Sequence, residues 1–215
     1  MKKTISLLLI LAATCVLFSC QKELDEITTI TPPPDNGGNE GGDTANSIIG
    51  TWNFVSITAE TESTSEVNFP NIQQNTTAFL NYTTTNNAGI VAINDSEMNI
   101  NGLAYTISST IKTYTYKNGV LSDSLETPVN ITFPPTESSC IYKLIGTDSI
   151  FFPKNGFTNI AASKLKTTPP AAKINFRGDT LTFNQTIYKD TIQTASGIDY
   201  HIIQKGNAVI TMVKK

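Results

Sequence analysis

Alternating polar and apolar residues, interrupted by glycine-containing turns, are the main pattern of the sequence beyond residue 46. In residues 180–188 the apolar Leu181, Phe183 and Ile187 alternate with threonine and asparagine. A period of two places such apolar side chains on one buried face of a β-strand. Branched and aromatic residues, which are plentiful here, also favour strands because they pack well on a pleated surface. The pattern therefore predicts an all-β domain over residues 47–215.

Four short segments with glycine or asparagine are predicted to be hairpin turns between successive strands. They are Asn118-Gly119, Gly146-Thr147-Asp148, Arg177-Gly178-Asp179 and Gly206-Asn207. Glycine and asparagine adopt positive φ at little steric cost, as tight hairpin turns require. Consecutive hairpins imply an antiparallel up-and-down meander. Closure of about eight to ten strands into a barrel would remove both sheet edges, and an open β-sandwich is the alternative fold.

Three segments lack a clear strand pattern and are expected to be elaborated loops, namely residues 56–76, 134–140 and 157–172. Within the last of these, residues 159–166 are the one segment with helical character. The following Thr167-Thr168-Pro169-Pro170 would end that helix, because proline cannot continue it. The domain is therefore expected to contain a single short helix.

Residues 1–19 have the pattern of a cleaved secretory signal. Lys2 and Lys3 precede an apolar run over residues 5–13, which is too short for a permanent membrane span. The run ends in Leu17-Phe18-Ser19-Cys20, which resembles the lipobox of bacterial lipoproteins. That resemblance implies cleavage before Cys20 and attachment of a lipid anchor to its thiol. Phe18 departs from the small residue usual at its position, and an ordinary secretory signal is the alternative.

Residues 20–46 are predicted to be a tether between the membrane and the domain. They hold six acidic side chains and one lysine, whereas residues 47–215 hold twelve acidic and twelve basic ones. The segment is rich in proline and glycine and cannot bury enough apolar surface to offset the entropy of ordering. Because residue 21 is Gln21 and not aspartate, the lipoprotein resemblance favours the outer membrane. The acidic residues after Cys20 are similar to the export tag of some surface-exposed lipoproteins, and a solvated spacer is the alternative.

The domain begins with Gly50-x-Trp52, which resembles the opening motif of lipocalins and of bacterial lipocalin-like lipoproteins. The resemblance implies a β-barrel whose bottom is closed by Trp52. Lipocalins pack an arginine near the C-terminus on that tryptophan, but Arg177, the only arginine here, lies in a predicted turn. Lys214 or Lys215 would take its place, although lysine lacks the planar stacking surface of arginine.

A lipid-anchored barrel that binds a small hydrophobic ligand is the leading functional hypothesis. Tyr105, Ile107 and Ile111 share one strand face, and Leu181 and Phe183 share another, so these side chains would line an interior site. Packing of a filled core explains the same residues equally well. The alternative function is a surface-exposed interaction or structural protein that contacts glycans or protein partners through its loops and holds no internal ligand.

Catalysis, metal binding and nucleic-acid binding have no supporting pattern, so the chain is predicted not to be an enzyme and to need no cofactor or metal. His201, the only histidine, lies in an alternating run typical of a strand. Cys140 would be a buried thiol without a partner, because Cys15 leaves with the signal and Cys20 carries the lipid. A net charge of −3 argues against nucleic acid, which requires a basic face.

Triplets of aspartate, a hydroxyl residue and an apolar residue are similar to the acceptor pattern for periplasmic O-glycosylation in some bacteria. Most of them lie where a turn aspartate precedes a strand, and the turn explains the triplet. Asp43-Thr44-Ala45 lies in the tether, where no strand explains it. Thr44 is therefore the predicted modification site.

Overall fold

The computed structural model describes residues 47–69, 71–153 and 171–215, and Ile48–Lys215 forms one compact unit. The strands are β1 (Gly50–Phe69), β2 (Ile72–Thr83), β3 (Thr85–Ile93), β4 (Glu97–Lys117), β5 (Val120–Ile141), β6 (Lys143–Ile145), β7 (Ser149–Phe151), β8 (Ala171–Arg177), β9 (Thr180–Ala195) and β10 (Ile198–Lys214). Their pairings are all antiparallel, which confirms the predicted all-β meander. Nowhere in these ranges is there a helix long and apolar enough to span a membrane.

All ten strands of the described part of the chain belong to one hydrogen-bonded sheet. β2 and β3 are separated only by Thr84 and together form one bent strand between β1 and β4. The Thr84 hydroxyl accepts a hydrogen bond from the N–H of Ile57, and the Thr84 N–H donates to the Ile57 carbonyl. The ladders consequently form a ring through β1, β2, β4 and β3.

β5 and β6 are likewise one strand, interrupted at Tyr142. The Tyr142 N–H donates to the carbonyl of Ser96, and its hydroxyl donates to the carbonyl of Asn94. β5 pairs with β4, whereas β6 pairs with β7. When each interrupted strand is followed as one, the pairing path runs β1, β2/β3, β4, β5/β6, β7, β8, β9 and β10 and returns to β1. The strands therefore follow one another in chain order around a closed circuit.

Among the described residues the circuit is complete at one end only, because β7 and β8 are short. We call this the closed end, and it holds the start of β1, the end of β10 and the whole of β3, β6, β7 and β8. Beyond it, parts of six strands continue as an open sheet in the order β5, β4, β2, β1, β10, β9. This open end comprises residues 58–69, 72–83, 107–117, 120–131, 187–195 and 198–206.

The hydrophobic core fills the closed end, and every strand of the circuit contributes to it. Its largest fully buried side chains are Trp52, Phe183, Met98, Leu103, Ile150, Leu181, Ile210, Met212 and Val91. Burial of one such side chain stabilises the fold by about 1.5–3 kcal/mol relative to its exposure. Most of the hydrophobic stabilisation therefore resides in the closed end.

Three of the four predicted turns are confirmed. Asn118-Gly119 separates β4 from β5 with φ values of 49° and 78°, as a tight hairpin with two left-handed residues requires. Residues 146–148 separate β6 from β7, and Gly178-Asp179 separates β8 from β9.

The predicted turn at Gly206-Asn207 is wrong, because both residues lie within the continuous strand β10. The chain turns instead at Ser196-Gly197, with φ values of 54° and 76°. Gly206 serves a close approach of strands: a Cβ added there would lie 2.2 Å from the carbonyl oxygen of Glu60 in β1. A glycine is needed at residue 206 for space and not for a turn.

Two of the three predicted loops are also strands. Residues 56–69 complete β1, and residues 134–140 lie in β5. Their side chains are mainly polar, so they lack the apolar alternation that indicates a strand. Residues 58–69 are held by ladders to β2 and β10, which supply the backbone hydrogen bonds that composition does not reveal. The proline pair Pro134-Pro135 is tolerated because it lies at a register shift of the β4–β5 ladder, where neither proline has a partner in β4.

Several sequence predictions fall outside the described residues. These are the signal over residues 1–19, the lipid attachment at Cys20, the tether with Thr44, the short helix at residues 159–166, and the third predicted loop up to residue 170, whose last two residues instead begin β8.

Candidate functional site

The side chains that face the core at the closed end continue along each strand onto one face of the open end. On β1 this face passes from Ile57 and Ala59 to Thr61, Ser63 and Ser65. Large apolar side chains give way to small polar ones, which are half-buried. We call this surface the inner face of the open end, and it is the candidate site.

The inner face has a polar side and an apolar side. The more polar side lies on β1, β10 and β9 and carries Thr61, Ser63, Ser65, Gln204, Lys189 and Thr191, interspersed with Val67, Ile187 and Ile202. The more apolar side lies on β2, β4 and β5 and carries Leu80, Ile107, Ile111, Leu125, Val129 and Ile131, interspersed with Ser109, Thr113 and Thr127. Leu125 and Ile131 are 40% and 47% exposed, so the apolar side is open to solvent along β5.

Tyr105 forms the floor between the inner face and the core. Its ring stacks on Phe133 with centroids 4.5 Å apart and lies 6.2 Å from the ring of Phe54. Tyr105 is 3% exposed, and its buried hydroxyl has no hydrogen-bond partner among the described residues. Burial raises the pKa of Tyr105 far above its ordinary value, and the neighbouring Tyr82 raises it further. The hydroxyl is therefore neutral and can donate a hydrogen bond to a group placed above it.

Tyr82 lies close enough to Tyr105 to affect its pKa and was not among the residues predicted from the sequence. It packs against the main core and also against a small cluster of Ala59, Ile187 and Ala208. Burial raises the pKa of Tyr82 as well. A short signal was present, because Leu80 and Tyr82 alternate with Asn81 and Thr83 beyond the expected loop.

The five residues predicted to line a ligand site occupy two levels. Tyr105, Ile107 and Ile111 share one face of β4, as expected, and run from the core onto the inner face. Leu181 and Phe183 are fully buried beneath that level, where they face Met212 and Ile210 of β10. Ile111 is half-buried and lies outside the core cluster.

Trp52 lies at the opposite end of the core, close to the start of the domain. It is 2% exposed, its Nε1–H donates to the carbonyl of Ile48 at 2.8 Å, and its ring lies 6.3 Å from that of Phe176. Lys214 is opposite Trp52 in the β1–β10 ladder, and its Nζ lies 5.9 Å from the centre of the ring. A cation over the ring face is attracted by the aromatic quadrupole, so Lys214 occupies the position expected of the missing arginine. Gly50 adopts a φ of 144° directly before this contact.

His201 lies on the outer face, away from the inner face, and joins three strands. Its Nε2 is 2.7 Å from Asp190 of β9, and its Nδ1 is 3.6 Å from Glu66 of β1. Glu66 also accepts a hydrogen bond from the Asn75 side chain of β2 at 3.2 Å. The hydrogen bond to Asp190 raises the pKa of His201, and Glu66 adds to that rise while desolvation opposes it.

Cys140 is a free thiol in the core, 4% exposed. Burial raises its pKa to about 12, and Glu97 contributes to the rise. The thiolate is the nucleophile, so this cysteine is inert in the folded domain. Within the described ranges no group of three or more histidine, cysteine or acidic residues is arranged to hold a metal ion.

Comparison with known proteins does not assign a family. No family model and no curated protein matches the chain. Among solved structures, the crystal structure of Ail, the attachment invasion locus protein of Yersinia pestis, is similar to 76% of this chain and 99% of that chain, with 8% sequence identity and a TM-score of 0.18. A likeness at that level does not establish a shared fold or function.

Proposed function

We propose that this protein is a lipid-anchored lipoprotein of the bacterial outer membrane whose lipocalin-like domain binds a small hydrophobic ligand with a polar head. The observation that carries the ligand proposal is the buried hydroxyl of Tyr105, which has no partner within the described residues. An unpaired buried hydroxyl costs about 1–3 kcal/mol, and a ligand that accepts its hydrogen bond removes that cost.

The two sides of the inner face support an amphipathic ligand. A hydrocarbon chain would lie along Leu80, Ile107 and Ile111, where it removes apolar surface from water. Its head group would reach the hydroxyl and amide groups of the polar side, together with Lys189. Lys189, whose residue is half-buried, favours an anionic head such as a carboxylate through its ammonium charge.

The ligand would sit above the core and not within it. Trp52, Leu181 and Phe183 are fully buried, and all three belong to the single core cluster that spans the closed end. A ligand at that level would have to displace several of these side chains, and overpacking a native core is costly. At the open end a ligand would need to displace only the side chains that cover the Tyr105 hydroxyl.

Extraction and titration of the domain test the ligand proposal. Residues 47–215 are purified from the native host, extracted with organic solvent, and then titrated with decanoate and with anilinonaphthalene sulfonate. We expect saturable binding that weakens about tenfold in Ile111→Asp and about three- to tenfold in Tyr105→Phe. The matched control is Ile192→Asp, because Ile192 is 67% exposed on the outer face. No extracted molecule and no saturable binding would refute the proposal.

The anchor is tested separately. Metabolic labelling with a radioactive fatty acid should mark the full-length chain and should be lost in Cys20→Ser. Protease treatment of intact cells then reports which side of the outer membrane the domain faces. Retention of label in Cys20→Ser would overturn the anchor without affecting the ligand proposal.

A further inference from the structure

Two hairpins at the far tip of the open end are locked to each other. They are the β1–β2 hairpin, whose last paired residues are Phe69 and Ile72, and the β4–β5 hairpin, which turns at Asn118-Gly119. The N–H of Gln73 donates to the side-chain oxygen of Asn118 at 2.9 Å, and the N–H of Asn118 donates to the Gln73 carbonyl at 2.9 Å. This reciprocal pair holds the two tips in a defined relation, so a surface shared between them is preorganised.

A shallow depression of about 270 Å³ lies where these hairpins meet, on the outer face of the sheet. It is lined by Gln73, Asn75 and Thr77 of β2, by Tyr116 of β4 and by Gly119 of the turn. The volume is close to the lower limit of about 300 Å³ for small-molecule sites, which suits a ligand the size of a single sugar unit. The depression is distinct from the inner face, because Gln73, Asn75 and Thr77 alternate with the inward-facing Gln74 and Thr76.

The lining combines one aromatic ring with uncharged hydrogen-bonding groups. The Thr77 hydroxyl donates to the Asn75 side-chain oxygen at 3.2 Å, and the Asn75 amide donates to Glu66 at 3.2 Å. These bonds fix the orientation of Asn75, and Glu66 is in turn 3.6 Å from His201. Gly119 carries no side chain, and the neighbouring Lys117 pairs with Gln74 on the other face. No lining side chain is charged.

We infer that this depression is a binding site for a neutral saccharide. The face of an aromatic ring is electronegative and attracts the partly positive C–H groups on the apolar face of a pyranose, so Tyr116 provides a stacking platform. Amide and hydroxyl side chains both donate and accept hydrogen bonds, as the vicinal hydroxyls of a sugar require. The absence of charge in the lining favours a neutral sugar over a phosphorylated or carboxylated one. The site is independent of the proposed ligand on the inner face.

Saturation-transfer NMR and calorimetry on the full-length chain test this inference. The protein is kept in a zwitterionic detergent without a sugar head group and is titrated with glucose, N-acetylglucosamine, maltose and cellobiose. Glucuronate serves as the charged counterpart of glucose. We expect at least one neutral sugar to bind saturably with a dissociation constant in the millimolar range, with the largest saturation on the protons of one ring face.

Variants of the lining separate a sugar site from general adhesion. Tyr116→Ala should weaken binding at least about tenfold, whereas Tyr116→Phe retains the ring and should stay within about threefold of the wild type. Gln73→Ala should weaken binding about three- to tenfold. Its exposed side chain can be removed without loss of the backbone bonds to Asn118, so this variant is informative even when Tyr116→Ala misfolds. The matched control is Tyr114→Ala, whose ring packs edge-on against Phe79 outside the depression.

Four results would overturn the inference, the first three of which concern the sugars and the lining variants. They are the absence of saturable binding of every neutral sugar at about 50 mM, binding that is unchanged in both Tyr116→Ala and Gln73→Ala, and binding of glucuronate as tight as that of glucose. Loss of binding in Tyr114→Ala equal to that in Tyr116→Ala would also place the sugar elsewhere.

Discussion

The closed end and the open end share strands but differ in how deeply the inward-facing side chains are buried. On β1, Trp52, Phe54 and Ile57 are buried in the core of the closed end. Thr61 and Ser63 lie on the same face of the same strand, in the open end, and are only half-buried. The change coincides with the limit of β7 and β8, beyond which the circuit of strands is no longer complete. Apolar packing is therefore concentrated where the sheet encloses it, and the open end keeps a surface that is available for contacts.

The largest effect on stability is expected from a substitution at Phe183 in the closed end. Phe183→Ala removes a fully buried ring from the core and should lower the free energy of unfolding by about 3–5 kcal/mol. Urea denaturation of residues 47–215, followed by circular dichroism, measures the change. Ile192→Ala is the control, because Ile192 is 67% exposed at the open end and should change stability by less than about 0.5 kcal/mol. Equal losses at the two positions would break the distinction between the ends.

A second prediction concerns the approach of β1 and β10 where the two ends meet. Gly206→Ala places a methyl group 2.2 Å from the Glu60 carbonyl oxygen, so the strands must separate. We expect a loss of about 1–3 kcal/mol in the same denaturation assay. Asn207→Ala is the matched control, since its side chain is exposed on the other face of the same strand. A neutral Gly206→Ala would show that the strands can move apart freely.

A substitution at Tyr105 tests whether its hydroxyl contributes to ligand binding or to the stability of the domain. Tyr105→Phe removes a buried hydroxyl that has no partner, so the ligand-free domain should become more stable by about 1 kcal/mol. The same variant should bind decanoate more weakly than the wild type. Thermal melting with and without decanoate measures both effects. Reduced stability without ligand would indicate that the hydroxyl already has a partner in the folded domain.

The smallest effect is expected at His201 on the outer face of the open end. Its pKa is raised from 6.5 by the hydrogen bond to Asp190 and by Glu66, so the folded state binds the proton more tightly than the unfolded state. This contribution is fully present below about pH 6.5 and is lost as the pH rises through the folded-state pKa. The stability difference between wild type and His201→Gln should therefore be largest near pH 5 and disappear near pH 9. A difference that grows with pH would contradict the assigned pairing.

How far the sequence predicts this protein differs between the two ends. Alternation at Leu181 and Phe183 correctly indicated strands, because one face of each is buried in the core. Residues 56–69 were predicted to be a loop, since polar side chains on both faces leave no periodic signal. Their strand structure depends on ladders to β2 and β10, and pairing between distant segments cannot be read from local composition.

The candidate site shows the same division. Tyr105, Ile107 and Ile111 could be placed on one face from their spacing alone. That Leu181 and Phe183 lie beneath this face, and that the Tyr105 hydroxyl has no partner, follows only from the register of β9, β10 and β4. The depression between the two hairpins could not be predicted from the sequence, because Gln73 and Tyr116 are brought together by the pairing of β2 with β4.

The sequence by itself determined the all-β class, the antiparallel order and three of the sharp turns, because period-two alternation and left-handed turn residues act within a few residues. The tertiary structure decided where the sheet closes, which faces are filled, and why Gly206 is a glycine. Those outcomes depend on contacts between residues far apart in the chain, such as Glu60 with Gly206 and Trp52 with Lys214. Local sequence patterns therefore specify which segments form strands, whereas the pairing and packing of those strands determine where the candidate sites lie.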